Sequence, residues 1–265
     1  MNILDKIIAH KRKEVAERKK LFPVKQLERS KYFESQSFSL REFLLRDDKS
    51  GIIAEFKRKS PSKGIINASV SVKDVTSGYV EAGASALSIL TDAEFFGGNN
   101  DDLTLARQIN SCPILRKDFT IDEYQIIEAK SIGADAILLI AAALTKPELE
   151  SLQAFAESLE LEILMEVHDE EELKVVNDCG GELIGVNNRN LKTFEVNIDL
   201  SKKLSESIPN SAVKISESGI SSPETIIELR KFGYRGFLMG ENFMKNEKPG
   251  YAAKEFVESL RRISK

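Results

Sequence analysis

Eight short runs rich in β-branched and other apolar residues alternate with helical patterns over most of this 265-residue chain. The runs are Ile52–Phe56, Ala86–Leu90, Ile114–Lys117, Ala136–Ile140, Ile163–Val167, Leu183–Asn187, Val213–Ser216 and Gly236–Met239. Apolar residues recur at helical spacing near 72–82, 101–110, 122–131, 146–159, 169–178, 198–206, 222–232 and 250–263. Strands that are each followed by a helix, with short loops between them, predict an α/β fold, a closed parallel (β/α)8 TIM barrel.

The first 48 residues contain no such strand–helix unit. Helical spacing predicts an amphipathic helix over 3–20 and a short helix around Ser39–Arg46, so residues 1–48 are interpreted as an N-terminal helical extension. No linker or charge block divides the remainder, and we predict a single domain, 1–265, with the barrel at 49–265. The competing doubly wound sheet needs a glycine-rich dinucleotide loop after its first strand, where this chain has KRKSPSKG.

Composition narrows the class of partners. The net charge of −4 gives no reason to expect nucleic acid or an anionic membrane, and the basic run over 11–20 is balanced by Glu14 and Glu17. Cys112 and Cys179 have no metal or redox spacing, which is typical of a cytoplasmic protein. The N-terminus is too charged for a signal peptide. With only two histidines, a His-rich metal site or a Ser-His-Asp triad is not expected.

Polar residues stand at the carboxyl ends of five predicted strands, each two positions after an apolar or small residue. Residues two apart on a strand face the same side, and catalytic residues of this barrel come from these strand ends. The set is Glu55, Lys57, Lys117, Glu166, Asn187 and Glu217, with Arg189 in the loop after the sixth strand. A structural ion pair would explain Glu55 and Lys57 alone, but the repeated pattern favours one shared polar pocket.

A phosphate signature follows the last two strands. Glycines let the backbone approach an anion, and a short helix predicted near 241–245 presents free amides. The candidate phosphate-binding residues are Ser218, Gly219, Gly240 and Glu241, and Ser60 in the loop after the first strand is a further hydrogen-bond donor. The alternative is that these glycines only shape turns.

Several segments, taken in order over residues 51–245, closely resemble the indole-3-glycerol phosphate synthase family. They are IIAEFKRKSPSKG, ALSILTDAEFFGG, CPILRKDF, GADAILLI, ILMEVHDEEEL, IGVNNRNL, VKISESGI and FLMGENFM. The resemblance implies ring closure of 1-(2-carboxyphenylamino)-1-deoxyribulose 5-phosphate, with loss of CO2 and water, to indole-3-glycerol phosphate in tryptophan biosynthesis. It implies a small-molecule substrate and no metal or organic cofactor. We also expect a monomer, although no residue pattern in the sequence bears on the oligomeric state. Asn188 and Asn190 depart from the family pattern, where Ser and Asp are expected, and bear on fine substrate contacts.

The resemblance also assigns roles. Lys117 would be the general acid and Glu166 the general base of the dehydration. Lys57 would hold the anthranilate carboxylate, and the sequence leaves open whether it also transfers a proton. The residues that would orient the lysines and sugar hydroxyls are Glu55, Asn187 and Glu217. The residues that match the aromatic ring's pocket are Phe96, Phe119 and Leu138.

Arg189 would add positive charge to this site. Three glutamates would then offset two lysines and Arg189, which predicts a nearly neutral empty site.

Two other functions remain compatible with the sequence. One is another phosphosugar barrel, such as an isomerase or a Schiff-base aldolase, and the other is a barrel that only binds a phosphorylated ligand. We further expect the KRKSPSKG loop to close over the substrate.

Overall fold

The computed structural model describes residues 3–264, and within them eight parallel strands close into a barrel. The barrel strands are β1 (Ile52–Phe56), β4 (Ala86–Leu90), β5 (Ile114–Lys117), β6 (Ala136–Ile140), β7 (Glu162–Val167), β8 (Leu183–Asn187), β9 (Val213–Glu217) and β10 (Tyr234–Met239). A small antiparallel hairpin, β2 (Lys59–Ser60) with β3 (Gly64–Ile65), lies in the loop after β1. Each barrel strand pairs with its neighbours in the chain, and β10 closes on β1. The predicted barrel is confirmed.

Helices occupy the predicted positions to within a residue or two. They are α1 (Ile3–Leu21), α2 (Val24–Leu27), α3 (Leu40–Leu45), α4 (Val72–Ala82), α5 (Ala93–Phe96), α6 (Asn100–Ile109), α7 (Glu123–Ile132), α8 (Lys146–Ser158), α9 (Glu170–Asp178), α10 (Asp199–Leu204), α11 (Pro223–Lys231), α12 (Glu241–Met244) and α13 (Pro249–Ile263). The sequence did not predict α2, α5 or the hairpin, each too short to show a period. The helix predicted over 198–206 ends at Leu204 and continues as a 3₁₀ turn, Ser205–Ser207.

Strand alternation divides the buried residues into two layers. Ile53 and Leu164 belong to a cluster inside the barrel, whereas Ala54 and Phe56 belong to the layer between strands and helices. Burying such aliphatic side chains stabilises the fold by roughly 1.5–3 kcal/mol each. The interior layer therefore holds the strands rigidly beneath the polar residues that follow at their carboxyl ends.

Gly83 and Gly133 end α4 and α7 in the left-handed conformation, with φ of 96° and 93°. A residue with a Cβ is strained there, so glycine lets the chain turn straight from each helix into the next strand. The junctions EAGASALSIL and SIGADAILLI thus set where β4 and β6 begin.

The N-terminal extension covers both ends of the barrel. Leu40 of α3 packs into the interior cluster, and Arg41 of α3 donates to the carbonyl of Ser211, just before β9. At the opposite end, α1 packs beside the carboxyl ends of β4 and β5. Within residues 3–264, no helix is both long and apolar enough to cross a membrane.

Candidate active site

A cavity of about 500 Å³ opens at the carboxyl ends of the barrel strands. All of the site residues proposed from the sequence line it: Glu55, Lys57, Ser60, Phe96, Lys117, Phe119, Leu138, Glu166, Asn187, Arg189, Glu217, Ser218, Gly219, Gly240 and Glu241. Every barrel strand contributes to the wall directly or through the loop that follows it. Concave sites with a few convergent polar groups are where ligands bind.

Lys117 lies at the centre of the polar group. Its Nζ is 2.6 Å from Oε2 of Glu166 and 2.9 Å from Oε2 of Glu217. Asn187 holds the other oxygen of Glu166, donating from Nδ2 to Oε1 over 3.1 Å. Burial alone would lower the pKa of Lys117, but the surrounding carboxylates outweigh it and raise the pKa, so the ammonium form is stabilised.

The two glutamates that share Lys117 differ in proton affinity. Burial favours the neutral form of both, but Lys117 and His168 outweigh it at Glu166 and hold its pKa well below the ordinary value. Burial, together with the negative charge of Glu166, raises the pKa of Glu217 to about 7. Oε1 of Glu217 is buried without a hydrogen-bond partner among residues 3–264. Neighbouring acids with separated pKa values are typical of acid–base sites.

Two glycines make room for these carboxylates. A Cβ on Gly185 would lie 2.3 Å from Oε1 of Glu217, and a Cβ on Gly240 would lie 2.5 Å from Oε1 of Glu55. Glu55 in turn accepts from Nζ of Lys57 at 2.5 Å. Gly240 therefore does more than shape a turn, because any side chain there would displace the Glu55–Lys57 pair.

The candidate phosphate end lies where the β9 and β10 loops meet. Ser218 and Gly219 have positive φ angles, 65° and 80°, which turn the backbone sharply after Glu217. Arg189 Nη2 and Lys63 Nζ each lie 3.7 Å from the carboxylate of Glu241. Lys63 is a cavity residue that the sequence reasoning missed. These cations place positive charge at this end of the cavity.

The predicted charge balance needs one correction. Arg189 was expected to help offset Glu55, Glu166 and Glu217, but it is paired with Glu241, and its Nη1 donates to the carbonyl of Phe194. The cation that stands beside Glu166 in its place is His168, whose Nε2 is 3.2 Å from Oε1. The sequence predicted no role for His168, because the small number of histidines only makes a His-rich metal site or a triad unexpected.

Apolar groups line the opposite wall. The rings of Phe96 and Phe119 lie 5.9 Å apart between centroids, with Leu138 on the same cavity. Residues from α1 complete the lining: Ile3, Leu4 and Ile7. Their helical spacing shows in the sequence that α1 has a buried face, but not that this face meets the cavity.

The two departures from the family pattern lie off the cavity. Asn188 is buried and donates to Ser216 Oγ and to the carbonyls of Glu217 and Ser218, so it braces the turn after β9. Asn190 accepts from the backbone amides of a turn at 192–193. Both asparagines support loops and neither belongs to the cavity wall.

Within residues 3–264, no group of three or more His, Cys, Asp or Glu is arranged to hold a metal ion.

Sequence comparisons match nearly the whole chain to a single protein family. A sequence model of the family described as indole-3-glycerol phosphate synthase matches residues 4–256. The chain is 48% identical over 259 residues to an indole-3-glycerol phosphate synthase of Bacteroides thetaiotaomicron, covering 98% of this chain and 99% of that one. It is 41% identical over 259 residues to one of Acinetobacter baylyi, covering 96% and 94%.

Comparison with solved structures agrees on the fold. A mandelate oxidase variant superposes with a TM-score of 0.63 at 15% identity, over 89% of this chain and 81% of that one. A thiamine phosphate pyrophosphorylase of Pyrococcus furiosus gives 0.58 at 17% identity, over 80% and 95%. At such low identity these likenesses support the barrel and nothing about the reaction.

Proposed function

Because this chain belongs to the indole-3-glycerol phosphate synthase family and is a carboxy-lyase of tryptophan biosynthesis, we propose that Lys117 and Glu166 carry its acid–base chemistry. The proposed substrate is 1-(2-carboxyphenylamino)-1-deoxyribulose 5-phosphate. It has an aromatic ring with a carboxylate at one end and a phosphate at the other. The cavity has an apolar wall, a central group of titratable residues and a cationic end, an order that matches this substrate.

Lys117 is the general acid in this proposal. As the ring carbon that bears the carboxylate attacks the substrate carbonyl, Lys117 gives its proton to the carbonyl oxygen, and a carbon–carbon bond forms. The surrounding carboxylates keep its amine protonated until then. The same environment argues against a Schiff base at Lys117, because imine formation needs a neutral amine.

Loss of CO2 then returns the electron pair of the broken bond to the ring. The new hydroxyl accepts a second proton from Lys57, whose carboxylate partner on the substrate has left as CO2, and departs as water. Glu166 removes a proton from the neighbouring carbon to complete the indole. Glu166 is suited to this role because Asn187 and Lys117 fix its two oxygens and keep it ionised.

The remaining polar groups orient the substrate. Lys57, beside Glu55 at the rim, holds the anthranilate carboxylate, and Glu217, whose Oε2 accepts from Nζ of Lys117, orients that lysine. The phosphate lies against Ser218, Gly219 and Gly240, with Arg189 and Ser60 beside it. One opposite charge at about 4 Å contributes about 4 kcal/mol at an effective dielectric near 20, before desolvation.

The Lys117–Glu166 ion pair, 2.6 Å long and facing the cavity, is the observation that carries the proposal. The test follows the indole product's fluorescence with purified protein and the proposed substrate. Lys117→Ala should cut kcat by roughly 10²–10⁴-fold with unchanged circular dichroism. Lys254→Ala, at an exposed lysine of α13, is the matched control. Near-normal turnover by the Lys117 variant would remove this residue from the acid role.

Three coarser proposals accompany this one: the chain forms one domain, works as a monomer and acts in the cytoplasm. Every proposed acid–base group comes from strands of a single barrel, so neither a second domain nor a second copy is needed to complete the site. The free thiols of Cys112 and Cys179 support the cytoplasm, where thiols stay reduced. Light scattering during gel filtration tests the monomer, and a single unfolding transition tests the single domain.

A further inference from the structure

His168 stands beside Glu166, but it does not belong to the cavity wall. We propose that His168, backed by Glu172, is a positioning residue: a permanent counter-ion that keeps Glu166 ionised and aimed after Lys117 has given its proton to the substrate. The inference rests on the proposed role of Glu166 as general base, and it assigns the groups that control this base.

The geometry fixes the imidazole between two carboxylates. Nε2 of His168 is 3.2 Å from Oε1 of Glu166, an ion-pair distance without hydrogen-bond alignment. Nδ1 lies 3.1 Å from Oε2 of Glu172, and the same oxygen accepts from the backbone N–H of His168 at 2.7 Å. Asp169 caps α9 by accepting from the amide of Glu172 at 2.9 Å. The helix start therefore positions Glu172, and Glu172 orients the ring.

The charges around Glu166 explain why a second cation is useful. Glu166 faces Lys117 from β5 and Glu217 from β9, with the neutral Asn187 from β8. One ammonium thus serves two carboxylates. Once Lys117 has protonated the substrate, that ammonium charge is lost. Without another cation, the proton affinity of Glu166 would rise before it acts as a base.

His168 retains its charge through this interval. It faces Glu166 at the end of β7 and Glu172 from α9, and both are carboxylates. Burial would lower its pKa, but the two neighbouring carboxylates outweigh the burial and raise the pKa to about 10. At neutral pH the ring is therefore an imidazolium.

Kinetics of paired variants test the positioning role. His168→Gln should lower kcat about tenfold, keep KM within about twofold, and move the acidic limb of the kcat profile up by about one pH unit. The limb moves to higher pH because Glu166 must be ionised to act as a base. Loss of the His168 cation raises the pKa of Glu166, so its ionisation needs a higher pH. Glu172→Gln should act in the same direction, and the double variant should be no worse than His168→Gln, since Glu172 acts through the ring. Additive losses would overturn this arrangement.

Proton NMR of the untagged protein gives a readout that does not depend on activity. The chain has two histidines, so the His10→Gln variant leaves the imidazole signals of His168 alone. These signals should not shift between about pH 5.5 and 8.5, and adding Glu172→Gln should move their midpoint down by a unit or more. A midpoint near the ordinary 6.5 in His10→Gln protein would overturn the proposal. This measurement leaves His168 itself intact, so it holds even where His168→Gln folds poorly.

The Glu166→Gln variant distinguishes a failure of the proposed base role of Glu166 from a failure of the counter-ion role of His168. Normal kcat in Glu166→Gln would mean that the proposed function of Glu166 has failed. A large loss in Glu166→Gln, together with wild-type kcat and pH profile in His168→Gln, would overturn the counter-ion role alone. His10→Gln serves as the matched kinetic control, because that imidazole packs against Phe95 and lies beside Glu14 rather than Glu166.

Discussion

Nζ of Lys11 lies 2.9 Å from Oδ1 of Asp118, the residue that follows Lys117, and both side chains are almost fully buried. The same ammonium is 2.9 Å from Oδ2 of Asp92, whose other oxygen caps α5 just before Phe96. Burial alone would raise the pKa of Asp118, but Lys11 and Arg116 outweigh it and lower the pKa to about 2. The N-terminal helix is thus tied to the segment after β4, which carries Phe96, and to the loop that follows Lys117 and carries Phe119.

Replacing Lys11 should therefore destabilise the fold far more than a surface change. Lys11→Met would remove the ammonium from both buried aspartates and leave Asp118 with Arg116 alone. The expected cost is about 3–5 kcal/mol in the free energy of unfolding. Lys13→Met, on the exposed side of the same helix, is the control and should change it by less than about 0.5 kcal/mol. Urea unfolding of the three proteins measures both. A loss below about 1 kcal/mol in Lys11→Met would contradict the role given to this buried cluster.

Much of the site was predictable because barrel geometry converts a local pattern into a global one. Glu55, Lys117 and Glu166 each lie at the carboxyl end of a strand, and period-two alternation indicates that they point inward. Closure of the sheet then brings them together without further information. Residues on strand ends could be placed from the sequence for this reason.

Contacts between distant segments could not be predicted in this way, because neither strand alternation nor helical periodicity indicates which segments pack together. Lys11 lies on a helix whose charges suggest a solvated face, and only packing against the β4 and β5 loops shows that it is buried. His168 continues the inward parity of Glu166, a signal that was available, but its partner Glu172 comes from the next helix. The pairing of Arg189 with Glu241 depends on two loops whose conformations the sequence does not encode locally.

Gly240→Ala should impair catalysis as well as binding. The new Cβ would lie 2.5 Å from Oε1 of Glu55, so the carboxylate must move and its pair with Lys57 must open. We expect kcat to fall by about tenfold or more while KM rises, in a protein that still folds. Gly180→Ala, where the added carbon meets nothing within 4 Å, is the control. Because Gly180 has a positive φ, alanine there should cost roughly 1 kcal/mol of stability, and kcat should be retained. A rise in KM alone for Gly240→Ala would mean that the glycine serves only the phosphate.

Glu217 should make stability depend on pH in a defined direction. Its pKa in the folded protein is raised to about 7 from 4.5, so the folded state binds the proton more tightly than the unfolded state. Its contribution is most favourable below pH 4.5 and is lost as the pH rises through 7. Glu217→Gln should therefore gain roughly 1–3 kcal/mol relative to the parent protein between pH 5 and pH 8, in denaturant titrations. An unchanged difference between the two proteins at both pH values would contradict the raised pKa.

Arg189 should affect substrate binding more than turnover. Its guanidinium is 3.7 Å from Glu241 and lines the cavity at the proposed phosphate end, away from the Lys117–Glu166 pair. A charge-assisted hydrogen bond contributes about 1.5–3 kcal/mol, so Arg189→Met should raise KM about 10–100-fold with kcat within a few-fold. Inhibition by inorganic phosphate should weaken in parallel, because phosphate competes for the same cation. Arg12→Met, at an exposed arginine of α1, should leave both constants unchanged. A loss confined to kcat would instead place Arg189 beside the reacting atoms.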